Sequence, residues 1–468
     1  GEMFPMDRAS TPPSATVIGG GLSGLATAWR LSRNGADVTL LERSDRTGGV
    51  IRSERVDGFL CEAAPNSMLV KSASAEAFLM DLGLGEAIVD ANPVADKRFL
   101  VRDGRVLSLP MSLWGGVTTP LYSLGAKFRL LKEPFIKPSR QEDESVASFV
   151  TRRMGWEFLD YGIASLVSGI FAGDPEKLSI RYAFPKVWNL EANYGSLIGG
   201  AIKLGRERKR RGETPYKSRM IAFRDGIETL TDRLAESVAG RIVTDARISS
   251  VDRAGDRWSV RWSDGTGDHE HSSDTLIVSV AEPETHELPW SPPIAEAVAR
   301  HPRLEHPPVT TLVMGFRRDQ VGHPLDGFGM LIPLKEGRRV LGAIFSSTIF
   351  PERAPENHVS LMIFMGGATM PDSAKSNLDE AVKLACGELK DLLDIRSEPV
   401  FSKLAYWPQA IPQYNVGHGE FLTALEETER AWPGLLFCAN YRGGPGLSDC
   451  LDSAIRTSDL VLGSTTSA

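Results

Sequence analysis

Only four cysteines, Cys61, Cys386, Cys438 and Cys450, occur in 468 residues, and no two share a C-x-x-C spacing. That argues against a disulfide framework or a cysteine metal knot and predicts reduced thiols in a reducing compartment. The eight histidines form no H-E-x-x-H or similar ligand set, so no metal is expected. No run of apolar residues reaches the roughly 18 needed to cross a bilayer, so no transmembrane helix is expected. A formal net charge of −7 gives no reason to expect nucleic acid as a partner. No nucleophile stands beside a base in a recognisable constellation, which points to chemistry supplied by a cofactor. Residues 1–13 are polar and contain proline; they read as a disordered N-terminus without the apolar core of a signal peptide.

The most informative stretch present is Ala15-Thr16-Val17-Ile18-Gly19-Gly20-Gly21-Leu22-Ser23-Gly24. It reads as a short apolar strand, a glycine turn and a helix start, with Gly19, Gly21 and Gly24 in G-x-G-x-x-G spacing. The first glycine permits a tight turn, the second a close backbone approach to pyrophosphate, and the third tight helix–strand packing. Phosphates would sit at the N–H groups around Leu22 and Ser23, where the helix dipole favours negative charge. Forty-five glycines make a chance match possible, but the context is ordered. The helix runs from Leu22 to Asn34 and stops at Asn34-Gly35. A second strand, Val38 to Leu41, ends at Glu42, placed to accept hydrogen bonds from a ribose. Arg43 follows, then Arg46-Thr47-Gly48-Gly49, a second backbone loop suited to a longer, extended cofactor.

The chain is longer than one domain requires. Residues 97–109 read as a hairpin turning at Asp103-Gly104, and residues 111–219 as mainly helical. Strands return over 221–282, where the wholly apolar Leu276-Ile277-Val278 fits a buried parallel strand. A last strand, Gly434 to Ala439, leads through a glycine loop into a helix over Leu451 to Leu462. The predicted fold class is therefore α/β plus α+β. A discontinuous Rossmann-like dinucleotide-binding domain (14–91, 220–282 and 425–466) holds a mixed-sheet substrate domain (283–424, with part of 92–110) and a helical insert (111–219). The basic stretch Lys203 to Arg219 reads as a mobile, solvated loop first and as a stretch attracted to anionic lipid second.

The glycine fingerprint, the acid and the R-x-G-G loop together resemble the flavin-dependent amine oxidase superfamily, which implies FAD. A narrower resemblance rests on Ser168-Gly169-Ile170-Phe171-Ala172-Gly173-Asp174-Pro175, Phe184-Pro185-Lys186-Val187-Trp188, Gly195 to Gly200, Phe223-Arg224-Asp225-Gly226, Phe345-Ser346-Ser347, and Ile411-Pro412-Gln413-Tyr414 with Gly417-His418. These are similar to the plant-type protoporphyrinogen oxidases, from about Thr16 to Gly463. The resemblance implies oxidation of protoporphyrinogen IX to protoporphyrin IX, with FAD as electron acceptor and dioxygen as its reoxidant. It also implies an amine oxidase-like fold, peripheral membrane association through the helical insert and a possible homodimer. The location would be cytoplasmic on an inner membrane in a bacterium, or a chloroplast or mitochondrial membrane in a eukaryote.

The same resemblance implies roles for single residues. Arg98 would pair with a substrate propionate, since a guanidinium binds a carboxylate bidentately. Leu331, Ile344 and Phe364 would sandwich the macrocycle. Gly169 and Gly173 would line the reaction face, letting backbone approach the macrocycle. Asn66 and Trp407 would lie near the flavin, Ile248 against the adenine, and Gly444, Gly446 and Leu447 near the flavin pyrimidine. That last loop, Gly443-Gly444-Pro445-Gly446, departs from the family pattern. The apolar residues interspersed with bases over 112–138 suit a membrane interface, a helical core or a dimer surface. Two other readings compete: an oxidase of coproporphyrinogen, and a non-catalytic binding protein on the same scaffold, as in the Rab GDP-dissociation inhibitors.

Overall fold

A computed structural model of the chain describes residues 11–466; most of the N-terminal segment read above as disordered lies outside them. The first apolar stretch forms the strand Ser14–Ile18, fully buried. It pairs in parallel with Asp37–Leu41 on one side and Thr275–Val278 on the other. Arg241–Val243 and Leu435–Phe437 complete a five-stranded sheet, all parallel. Leu276, Ile277 and Val278 have no solvent exposure, as a strand covered on both faces requires. Because every strand points the same way, the turn after Ile18, Glu42, Ser279 and the loop after Phe437 all emerge at one edge of the sheet. Helices Leu22–Arg33 and Leu447–Thr466 both start there. The C-terminal helix thus begins four residues before the Leu451 expected from sequence.

A second, seven-stranded sheet is mixed and contains the hairpin Phe99–Arg102 and Arg105–Ser108. The hairpin turns at Asp103 and Gly104, both at positive φ as a two-residue turn of this type demands. Phe99–Arg102 runs parallel to Gly329–Leu331, and the other pairings are antiparallel.

In the chain, the helical region follows this hairpin. The expectation of a solvated basic loop fails here: Leu197–Arg210 is a helix, and only residues 211–218 are irregular. Two features override the charge repulsion. Ser196 caps the N-terminus, accepting from Gly199 N at 3.0 Å. The fully buried Glu133 accepts from Ser196 Oγ (2.7 Å), Leu197 N (2.6 Å) and Ile198 N (3.0 Å). The bases Arg208, Lys209 and Arg210 fall in the last turn, where the helix dipole favours them.

Glu133 also receives Arg153 Nε at 2.7 Å, and Arg153 reaches Glu191 at 2.9 Å. Burial pushes the Glu133 pKa up, but these hydrogen bonds outweigh it and hold the carboxyl below its ordinary range. Removing one partner of such a pair strands a buried charge. Glu133→Ala is expected to lower stability by about 3–5 kcal/mol, read as a lower denaturant midpoint. A loss within the spread of surface substitutions would show that the network carries no weight.

Candidate cofactor and substrate site

The glycine turn is shaped by contacts with backbone. Gly19 sits at φ +110°, and a Cβ there would lie 2.7 Å from the Ser279 carbonyl oxygen. A Cβ on Gly24 would collide with the Gly19 carbonyl oxygen. No side chain caps the helix that begins at Leu22, so its first N–H groups are left for a ligand. The loop after Arg46 closes onto this turn, with Gly48 N donating to Gly20 O at 2.7 Å. Arg46 holds that loop, donating to Gly49 O (2.9 Å), Ile51 O (2.6 Å) and Glu228 (3.0 Å). Arg43 turns outward to Glu284 at 3.4 Å. Glu42 accepts from Gly20 N (2.9 Å) and Ser44 N (2.7 Å). Its carbonyl also receives Ala246 N, which brings the half-buried Ile248 near the same edge.

The edge fits an extended dinucleotide for a second reason. Ser279 Oγ, directly after the strand Thr275–Val278, and Ser448 Oγ, at the second residue of the C-terminal helix, are buried without a hydrogen-bond partner among the described residues. Native structures seldom leave such groups unpaired, and a ligand rich in oxygen would satisfy them. At the C-terminal loop, Gly444 N donates to the Tyr414 hydroxyl, Gly446 N donates to Asp449, and Leu447 opens the helix.

The substrate-side residues meet through strand register. Leu331 pairs with Gly342 and Gly342 with Phe364, while Ile344 lies two residues beyond Gly342. Leu331, Ile344 and Phe364 therefore share one face. All three are half-buried, whereas the alternating Met330, Ala343, Ile363 and Met365 pack into the core on the opposite face. The end of helix Ala164–Phe171 crosses the exposed face. A Cβ on Gly169 would sit 3.3 Å from Leu331 Cδ2, and Ala368 N donates to Ala172 O at 2.8 Å. A Cβ on Gly173 would instead point into the protein, 2.6 Å from Gln413 Oε1.

Arg98 precedes the strand whose Leu100 pairs with Leu331. Its guanidinium stacks 4.4 Å from the Phe328 ring and forms no ion pair among the described residues. The adjacent Lys97 is engaged with Asp326 at 2.9 Å. An unpaired guanidinium at the rim of an apolar wall can take a carboxylate.

Trp407 and Asn66 approach one segment, since Trp407 Nε1 donates to Ala63 O at 2.9 Å. The buried Asn66 accepts at Oδ1 from Ser346 Oγ (3.1 Å) and Arg353 Nη1 (3.0 Å). A guanidinium only donates, so the amide nitrogen must face away from it. Asn66 Nδ2 has no partner among the described residues. Arg353 is 2 % exposed and lies 3.7 Å from the buried Glu62. Sequence reading assigned no role to Ser346, Arg353 or Gln413, because each acquires its partner only through tertiary contact, nor to Ser279 or Ser448, whose burial arises only on folding.

The family described as flavin containing amine oxidoreductase matches residues 22–462. The chain belongs to that family. Membership makes this flavin-family protein an oxidoreductase with FAD as its cofactor, and the edge described above is where this family member has free N–H groups and unpaired hydroxyls. Within the family, the chain is 32% identical to the mitochondrial protoporphyrinogen oxidase of Nicotiana tabacum, over 97% of this chain and 96% of that one. It is 27% identical to the coproporphyrinogen III oxidase of Bacillus subtilis, over 93% and 95%. A crystal structure from Exiguobacterium, itself a candidate protoporphyrinogen oxidase, superposes with a TM-score of 0.78 at 22% identity, covering 97% of this chain and 99% of that one. That likeness supports the amine oxidase-like fold.

Proposed function

We propose that this flavoprotein oxidises protoporphyrinogen IX to protoporphyrin IX, with dioxygen as final oxidant. Six hydrogens leave the substrate, and three molecules of dioxygen become hydrogen peroxide. The observation that carries this reading is the unpaired Arg98 beside the half-buried face of Leu331, Ile344 and Phe364. A porphyrinogen is a broad apolar disc with carboxylates along one edge, and this wall and cation complement both parts. FAD, when bound, supplies the two-electron acceptor. The chain's own residues bind the disc, anchor its propionate and shield it from water. The ring is electron-rich, so hydride can leave a bridging carbon held near the flavin without an acid–base pair from the protein. In this reading Gly19, Gly21 and Gly24 admit the pyrophosphate, Glu42 the ribose and Ile248 the adenine. Trp407, Asn66 and the loop through Gly444, Gly446 and Leu447 surround the flavin.

Coproporphyrinogen carries more carboxylates and would need more free cations, yet Lys97 is already paired. Rates of porphyrin fluorescence on both porphyrinogens, measured side by side, are expected to favour protoporphyrinogen. A clear preference for coproporphyrinogen would replace the substrate while leaving the reaction class intact.

The helical region presents Leu113, Trp114, Phe128 and Phe135 to solvent, with Leu113 and Phe135 almost fully exposed. No helix among the described residues is long and apolar enough to cross a membrane. Large apolar side chains exposed together in one segment mark an interaction site, and we propose that they lie in a membrane interface. Flotation with liposomes is expected, and replacing Trp114 and Phe135 by Ser should abolish it. If the protein stays unbound and instead sediments as a dimer that this pair of changes dissociates, the patch is a subunit interface.

A further inference from the structure

The segment Ile411–Tyr414 carries part of the family resemblance but has no role in the reading above. Gln413 and Tyr414 are both 2 % exposed, and their side chains bond to different segments of the chain. Gln413 Nε2 donates to Phe171 O at 2.7 Å and to Ile411 O at 3.0 Å. Two carbonyls can only accept, so the amide nitrogen must face them and Oε1 must face Gly173. Tyr414 works in the other direction. Its hydroxyl donates to Asn440 O and accepts from Gly444 N at 3.0 Å, filling both roles available to a phenol. Its backbone carbonyl receives Ser179 N at 2.8 Å. The ring stacks on His418 at 4.2 Å and 11°, which leaves the hydroxyl little freedom to wander. Two consecutive buried residues thus join the segment Phe171–Ser179 to the loop Asn440–Gly444.

We infer that Gln413 and Tyr414 are positioning residues: a clamp that sets the distance between the helix end over the substrate and the glycine loop at the cofactor. The inference rests on the proposed placement of the flavin at that loop. It has two consequences. A Cβ on Gly173 would have to push the Gln413 carboxamide out of its place, 2.6 Å away, and so disturb the hydrogen bonds that Gln413 makes. And filling the cofactor loop should be felt at the helix end, without any contact between FAD and that helix.

Hydrogen exchange on the apoprotein, with and without saturating FAD, tests this directly. In the wild type, FAD is expected to slow exchange about tenfold in peptides covering both 440–446 and 171–179. In Tyr414→Phe, which removes only the hydroxyl, saturating FAD should still protect 440–446 but no longer 171–179. Gln413→Met, of similar volume and without donors, should uncouple in the same way. Protection confined to the loop in the wild type would overturn the clamp, and that measurement does not depend on any variant folding. Equal protection of 171–179 in the wild type and both variants would also overturn it. A wild type that takes up no FAD would overturn the proposed function and the clamp together. One that takes up FAD without protecting 171–179 overturns the clamp alone.

Discussion

Gly24→Ala is expected to yield a colourless protein. Gly24 does not need glycine for its backbone angles, because it sits inside a regular helix. It needs glycine because the position of its Cβ is taken by the Gly19 carbonyl oxygen, with Ser279 Cβ also only 3.3 Å away. The obstacle is backbone, so no side chain can rotate to relieve it. Either the helix start or the glycine turn must move, and both carry the free N–H groups offered to the pyrophosphate. Overpacking of this kind costs about 1–3 kcal/mol in stability, but the larger effect falls on the cofactor. Flavin absorbance per protein should drop to background after purification, and added FAD should restore little of it. A yellow Gly24→Ala protein with the wild-type flavin ratio would show that the phosphates bind elsewhere.

Arg98→Ala is expected to have the opposite signature: full flavin content and weak substrate binding. The guanidinium lies over Phe328, and no hydrogen bond or ion pair among the described residues links it to the glycine turn. A hydrogen bond to a charged group contributes about 1.5–3 kcal/mol, which corresponds to roughly 10- to 150-fold in kcat/KM. The loss should appear chiefly in KM, because the propionate remains remote from the bridging carbons that react. Arg98→Lys should recover part of it, since it keeps the charge and loses the planar fork. Loss of flavin with a normal KM would remove Arg98 from the substrate site.

These two positions were legible in the sequence for different reasons. Gly19 to Gly24 form one local strand–turn–helix, where spacing along the chain is also spacing in space. Arg98 could be named only through family resemblance, because its surroundings read simply as a basic hairpin. Leu331, Ile344 and Phe364 lie up to 33 positions apart in the chain and become one surface through the register of three strands, which periodicity alone does not specify. The basic helix Leu197–Arg210 was misread because its stabilising partner, Glu133, lies more than sixty residues upstream. Gln413 and Arg353 were invisible as functional residues for the same reason: a buried donor acquires meaning only from the acceptor that folding brings to it.

In the proposed reaction, electrons pass from a porphyrinogen to a flavin held at the edge of the parallel sheet. Anaerobic mixing of the purified protein with protoporphyrinogen IX, followed simultaneously by flavin absorbance and porphyrin fluorescence, tests it most directly. The flavin is expected to bleach as the porphyrinogen is consumed, and admitting air should restore the flavin colour and drive porphyrin formation to completion. A flavin that stays oxidised while the porphyrinogen is present would contradict it.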